Sequence, residues 1–212
     1  VLDKKTQQEL TPENILGLLK KGNDRFVNGK CVKKELQHQV NATSSGQYPM
    51  AAVLSCIDSR ITSEMIFDAN LGDLISIRIA GNIVNDEIIG SLELSHKEIG
   101  TKLIIVLGHS KCGAVNAAIN NINEGYISHI TKKIKPSLDR AKSLQINSKA
   151  TVNISEETCY LNTQNSVNEI LKTSDYLCRQ INSGKLGIVS AYYDTTTGIV
   201  RFDDLITSTT KE

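Results

Sequence analysis

The sequence predicts an α/β protein: an open, mainly parallel β-sheet flanked by helices, with an N-terminal helical arm. Short runs of branched aliphatic residues at 51–55, 74–79 and 103–107 have the length and composition of strands buried on both faces. Segments with helical spacing separate these runs, and such alternation belongs to a parallel sheet covered by helices. No internal repeat, low-complexity tract or linker interrupts the 212 residues. A single domain over residues 1–212 is therefore expected, with the arm at about 11–28 and the sheet core at about 50–204.

In chain order, residues 11–28 read as an amphipathic helix. Thr11 suits the N-cap and Pro12 the first helical position, while Ile15, Leu18, Leu19 and Phe26 recur near one face. Residues 29–49 are polar, contain Gly46 and Pro49, and read as a long surface connection. After the first strand, 62–70 is a short helix stopped by Leu71-Gly72-Asp73. Residues 86–98 place Ile88, Leu92 and Ile99 on one stripe, with Asp86 as cap and Gly100 beyond the end. An alanine-rich helix over 113–122 follows Cys112 directly. Residues 126–150 are lysine-rich and broken by Pro136, which predicts helix, loop and helix. One long helix is expected over 155–182, stopped by Gly184. Two strands, Gly187–Tyr193 and 199–202, then flank the hairpin-like turn Asp194-Thr195-Thr196-Thr197-Gly198.

A net charge of +1 and the lack of basic runs interleaved with aromatics argue against nucleic acid as a partner. No apolar stretch reaches the length of a membrane span. Five cysteines are an odd number without scaffold spacing, and Cys31, Cys159 and Cys178 read as buried apolar residues or inert thiols. The chain opens on Val1, which fits both a removed leader and simple trimming; the compartment expected is cytoplasmic, or periplasmic if a leader was removed.

Chemistry concentrates at two strand ends. The first run ends in Cys56-Ile57-Asp58-Ser59-Arg60 and the third in His109-Ser110-Lys111-Cys112-Gly113. In open parallel sheets ligands bind beyond the carboxyl ends of the strands, so these segments can meet. Two thiols and an imidazole form a zinc ligand set; three protein ligands with one open position describe a catalytic rather than a structural zinc. Two thiolates and a neutral imidazole cancel the charge of the ion, so another group must help hold hydroxide there. Asp58 is placed for that work, with Arg60 able to grip its carboxylate by two parallel hydrogen bonds. Gly113 opens a helix whose N–H groups favour thiolate and anion. A dithiol redox pair of Cys56 and Cys112 and an inert zinc remain alternative readings; the lack of a CxxC pair weighs against the first.

These two segments, with Arg78-Ile79-Ala80-Gly81-Asn82 and Gly90-Ser91-Leu92-Glu93, resemble the β-class carbonic anhydrases, and the resemblance extends over about residues 11–204. It implies a parallel-sheet core assembled as a homodimer or homotetramer. The implied reaction is reversible hydration of carbon dioxide to bicarbonate and a proton. One Zn2+ per subunit would be held by Cys56, His109 and Cys112. Asp58 and Arg60 match the family's catalytic dyad, which orients zinc-bound hydroxide, and in an inactive form Asp58 is a candidate fourth ligand. Gln47 matches a glutamine that donates a hydrogen bond to substrate across the dimer interface in the plant-like branch. With Gly113 it joins Ile75 and Ala80, candidate pocket linings by position. The bicarbonate-inhibited branch carries a tryptophan where Val53 stands, and this chain has none, so the open, constitutively active type is expected. Ile79 departs from the asparagine common in its segment, and the pocket tyrosine of plant-like members has no counterpart. Hydrolysis of carbonyl sulfide or carbon disulfide on the same scaffold is the alternative activity.

Overall fold

In the computed structural model, which describes residues 1–147 and 153–208, the two central strands are buried at every position: β1 (Ala51–Ser55) and β3 (Leu103–His109). Each carries apolar or small residues on both faces, which allows helices to cover both sides. With β2 (Leu74–Arg78), β4 (Gly187–Tyr193) and β5 (Val200–Phe202) they form one sheet in the order β2-β1-β3-β4-β5. The first four strands are parallel and β5 returns antiparallel to β4. The expected strand at 51–55 matches β1, and those beginning at 74 and 103 start where predicted.

Alternation along the strands sends side chains to two cores. Ala51 and Val53 join Ile15 and Leu19 of α2 (Pro12–Val27) and Ile66 of α4 (Ser63–Ile66). Ala52 and Leu54 join Ile88 and Leu92 of α5 (Asp86–Lys97), Val167 and Ile170 of α8 (Ile154–Thr173), and Leu177 of α9 (Asp175–Asn182). A third cluster at the carboxyl end of the sheet brings Cys56 and Cys112 against Val115 of α6 (Gly113–Ile119) and Ile134 of α7 (Ile127–Asn147). Among the described residues no helix is long and apolar enough to cross a membrane.

Several expectations are corrected. Residues 1–49 hold two further helices, α1 (Lys4–Glu9) and α3 (Leu36–Thr43), the second inside the stretch expected to be loop. Each buries a glutamine rather than an apolar stripe: Gln7 Nε2 donates to the carbonyls of Pro49 and Ile99, and Gln39 binds Asn70 and the N–H of Leu71. Leu18 is 44% exposed, on the outer side of α2. The cap of α5 is Asn85, whose Oδ1 accepts from Ile88 N at 2.9 Å, not Asp86. α6 stops at Ile119 rather than at 122. α7 runs as one helix through Pro136, where two were expected; positions 148–150 of that expectation lie outside the described residues. The long helix is two, parted at Ser174, whose hydroxyl accepts from Leu177 N to cap α9 and donates to Glu93 at 2.6 Å.

Candidate metal centre

Register decides what meets at the carboxyl edge. Ser55 stands opposite both Arg78 and Leu107, so three strands end side by side. The chain leaves β1 at Cys56, leaves β2 into a 3-10 turn at Ala80–Asn82, and leaves β3 at His109. Cys56, His109 and Cys112 are buried there, 3%, 1% and 2% exposed. One ligand atom from each lies within 4.8 Å of the others, the only such His/Cys/Asp/Glu group among the described residues.

Protonation within this group follows from its partners. His109 Nδ1 lies 2.9 Å from the carbonyl oxygen of Ser110. A carbonyl only accepts, so Nδ1 carries the proton and Nε2 presents a lone pair. That Nε2 is buried without a hydrogen-bond partner, a costly state that a cation relieves. The two sulfurs are 3.9 Å apart. The thiol of Cys112, and then the N–H of Gly81 at 3.3 Å, draw the Cys56 thiol well below its usual range against the cost of burial. Cys112 is driven upward by the neighbouring Cys56 sulfur and by burial. Without an ion the pair favours one thiolate; a divalent cation favours two. The three side chains therefore fit a metal.

Beside them, Arg60 grips Asp58 from three directions: its Nε to Oδ1 at 2.9 Å, a terminal guanidinium nitrogen to Oδ2 at 2.8 Å, and its backbone N–H to Oδ1 at 3.0 Å. Those bonds hold the Asp58 carboxyl down to about 2, outweighing its partial burial. Both carboxylate oxygens being engaged, Asp58 stands outside the metal-ligating group in this structure.

The remaining predicted residues separate. Ala80 opens the turn whose next N–H meets Cys56, and Gly113 opens α6 with free space beside its Cα. Ile75 does not reach this edge: it pairs with Ala52, three residues before the end of β1, and packs in the cluster of Ile88 and Leu92. Ile79 instead borders the apolar cluster of Cys56 and Cys112. Gln47 is exposed before the start of β1, in a cleft with Tyr48, His96 and Lys102, at the amino end of the sheet.

Two residues gained no role from sequence. Arg78 donates to the carbonyls of Cys56 and Asp58, at 3.1 and 2.7 Å, and so fixes the backbone on either side of Ile57. Gly81 has φ +68°, and a Cβ there would lie 2.9 Å from Ile134 and 3.2 Å from Ala114. Their position at the carboxyl end of a parallel strand was the available signal.

Fold and site together define a protein of the α/β class with a buried Cys–His–Cys group, fit to hold a metal, at a parallel strand edge. The family model described as carbonic anhydrase matches residues 51–200. Carbonic anhydrase 2 of Mycobacterium tuberculosis is 39% identical over 127 residues, which cover 57% of this chain and 61% of that relative, so the match spans about three-fifths of the relative's length. Among solved structures, a Coccomyxa β-carbonic anhydrase superposes with a TM-score of 0.72 at 20% identity, over 92% of this chain and 87% of the other. One of two tetrameric β-carbonic anhydrases from Sordaria macrospora superposes with a TM-score of 0.70 at 19% identity, over 89% and 96%. The chain belongs to the carbonic anhydrase family, and its fold is that of the β-carbonic anhydrases.

Proposed function

We propose that this protein is a zinc-dependent carbonic anhydrase that interconverts carbon dioxide and bicarbonate, with Cys56, His109 and Cys112 as its zinc ligands. The observation that carries the reading is the buried, partnerless Nε2 of His109, on a residue that offers a ring nitrogen within 4.8 Å of both cysteine sulfurs. A tetrahedral zinc about 2.3 Å from each sulfur would space them about 3.8 Å apart, and here they are 3.9 Å apart. Three protein ligands leave one position for solvent and substrate chemistry. When bound, zinc supplies the Lewis acidity that makes water a competent nucleophile near neutral pH.

The chain's own residues do the rest. Asp58, kept ionised by Arg60, accepts a hydrogen bond from the nucleophilic oxygen and turns a lone pair toward the carbon of the substrate. Arg78 keeps the Cys56–Asp58 backbone in place while this happens. Ile79, Ile83 and Val115 offer an apolar border suited to a small linear molecule without charge. With both Asp58 oxygens on Arg60, the arrangement supports the open, active type rather than the form in which Asp58 ligates the metal. Gln47 lies at the far end of its own sheet, so its role toward substrate requires a second copy of the chain. A homodimer or homotetramer supplies one, and solved relatives of this fold include tetramers.

Metal analysis of the purified protein joined to a stopped-flow assay of carbon dioxide hydration tests the proposal. About one zinc per chain with hydration abolished by chelation is expected. A protein that binds zinc yet does not accelerate hydration would refute the catalytic reading.

A further inference from the structure

Beyond the ligands themselves, the loop that carries two of them is tied to a distant turn. His109 and Cys112 are separated by Ser110 and Lys111, and Lys111 has φ +56°, a left-handed backbone that non-glycine residues adopt only when their surroundings impose it. What imposes it is visible. The N–H of Ser110 donates to the Tyr193 carbonyl at 3.0 Å, extending the β3–β4 ladder by one residue. Ser110 Oγ accepts from the backbone N–H of Thr195 at 2.9 Å and lies 2.9 Å from Thr195 Oγ1. Lys111 Nζ donates to Thr196 Oγ1 at 3.2 Å. Ser110, so held, offers the carbonyl that fixes the tautomer of His109.

The turn is in its turn anchored. The carboxylate of Asp194 accepts from Thr196 N and Thr197 Oγ1, at 2.8 and 3.0 Å. Gly198 N–H closes on the Asp194 carbonyl with φ +77° at Gly198. Buried Asn23, on the helical arm, donates to the Gly198 carbonyl and accepts from Val200 N, both at 2.9 Å.

The geometry points to the β4–β5 turn as a brace on the metal-ligand loop, with Thr195 as a positioning residue that holds Ser110, and through it the His109 imidazole, in ligating orientation. The inference rests on the metal reading above but assigns residues that touch neither metal nor substrate. Groups that orient a ligating histidine commonly change metal affinity by about ten- to a hundredfold when removed.

The test follows zinc transfer from the loaded protein to an excess of a chromogenic chelator. Thr195→Val, which keeps the shape and loses the hydroxyl, should release zinc about tenfold faster; Thr195→Ser should release it within about twofold of the wild type. Cobalt-substituted Thr195→Val should also show shifted thiolate charge-transfer and ligand-field bands, which Thr195→Ser restores. A loss of general stability alone would not move those bands. Thr195→Val with wild-type release and an unchanged cobalt spectrum overturns the brace. Should that variant not fold, Ser110→Ala carries the comparison, and wild-type release from it overturns the brace equally. A wild-type protein that takes up no zinc would instead defeat the metal reading, so the two failures are distinct.

Discussion

A Cβ added to Gly108 would lie 1.8 Å from Oγ1 of Thr163, a fully buried side chain of α8 whose hydroxyl donates to the Cys159 carbonyl. The glycine is thus what lets α8 lie against β3 immediately before His109. Gly108→Ala should destabilise the fold by about 1–3 kcal/mol, the usual range for overpacking, and displace the His109 backbone. Denaturant unfolding checks the first effect and zinc stoichiometry the second. Thr163→Ala in the same chain removes the obstructing hydroxyl and should return part of both losses; strictly additive losses would show that the contact is not the cause.

Arg60 holds and orients the Asp58 carboxylate, so on the proposed reading replacing Asp58 separates catalysis from metal binding. Asp58→Ala should keep about one zinc per chain while hydration falls about a hundredfold or more, the scale on which positioned acid–base groups act. The sign of its pH dependence follows from a carboxyl lowered from 3.8 to about 2. Its contribution to stability is complete above pH 3.8 and disappears as pH falls toward 2. The stability gap between wild type and Asp58→Ala should therefore close over that interval. An acid limb of activity near neutral pH would belong to another group.

Asp68 ties the polar segment after α2 to the core. Its side chain is 0% exposed, with Arg25 Nε and Lys34 Nζ both at 2.6 Å and the N–H of Val32 at 3.1 Å. Burial pushes its carboxyl up, but Lys34, Arg25 and the Val32 N–H outweigh that and bring it to about 2. Asp68→Asn should cost about 1–3 kcal/mol, because the two cations lose their charge-assisted bonds but reach water. Proteolysis between residues 28 and 35 should quicken. The difference from wild type should vanish as pH falls from 3.8 to 2, with the same sign as for Asp58.

The parts legible in the sequence are those whose burial is written in aliphatic side chains. β1 and β3 carry mostly aliphatic residues on both faces and were predicted to within two residues. Cys56, His109 and Cys112 could be placed together because strand ends in a parallel sheet converge. α1 and α3 were not legible, since Gln7 and Gln39 bury themselves through amide hydrogen bonds that leave no apolar period. Ile75 was placed at the pocket from its strand alone; register, which one chain does not print, puts it three residues too low. The ties from Thr195 to Ser110 join positions 85 residues apart through side chains common in any turn.

Pro136 shows the limit of a local rule. It stops no helix, yet it stands inside α7 without an N–H to give the carbonyl of Lys132, and its ring crowds that same carbonyl. The helix persists because its inner face is fixed by Ile134, Leu138 and Ala141, all buried, while Pro136 itself faces outward. Proline in a helix interior is about 3 kcal/mol less favourable than alanine. Pro136→Ala should therefore stabilise the protein, by about 1–3 kcal/mol. Thermal and urea unfolding of the zinc-loaded protein measure it. Hydration activity should stay at the wild-type level, since Pro136 touches none of the ligands. A neutral or destabilising effect would refute the missing backbone bond as a net cost in this helix.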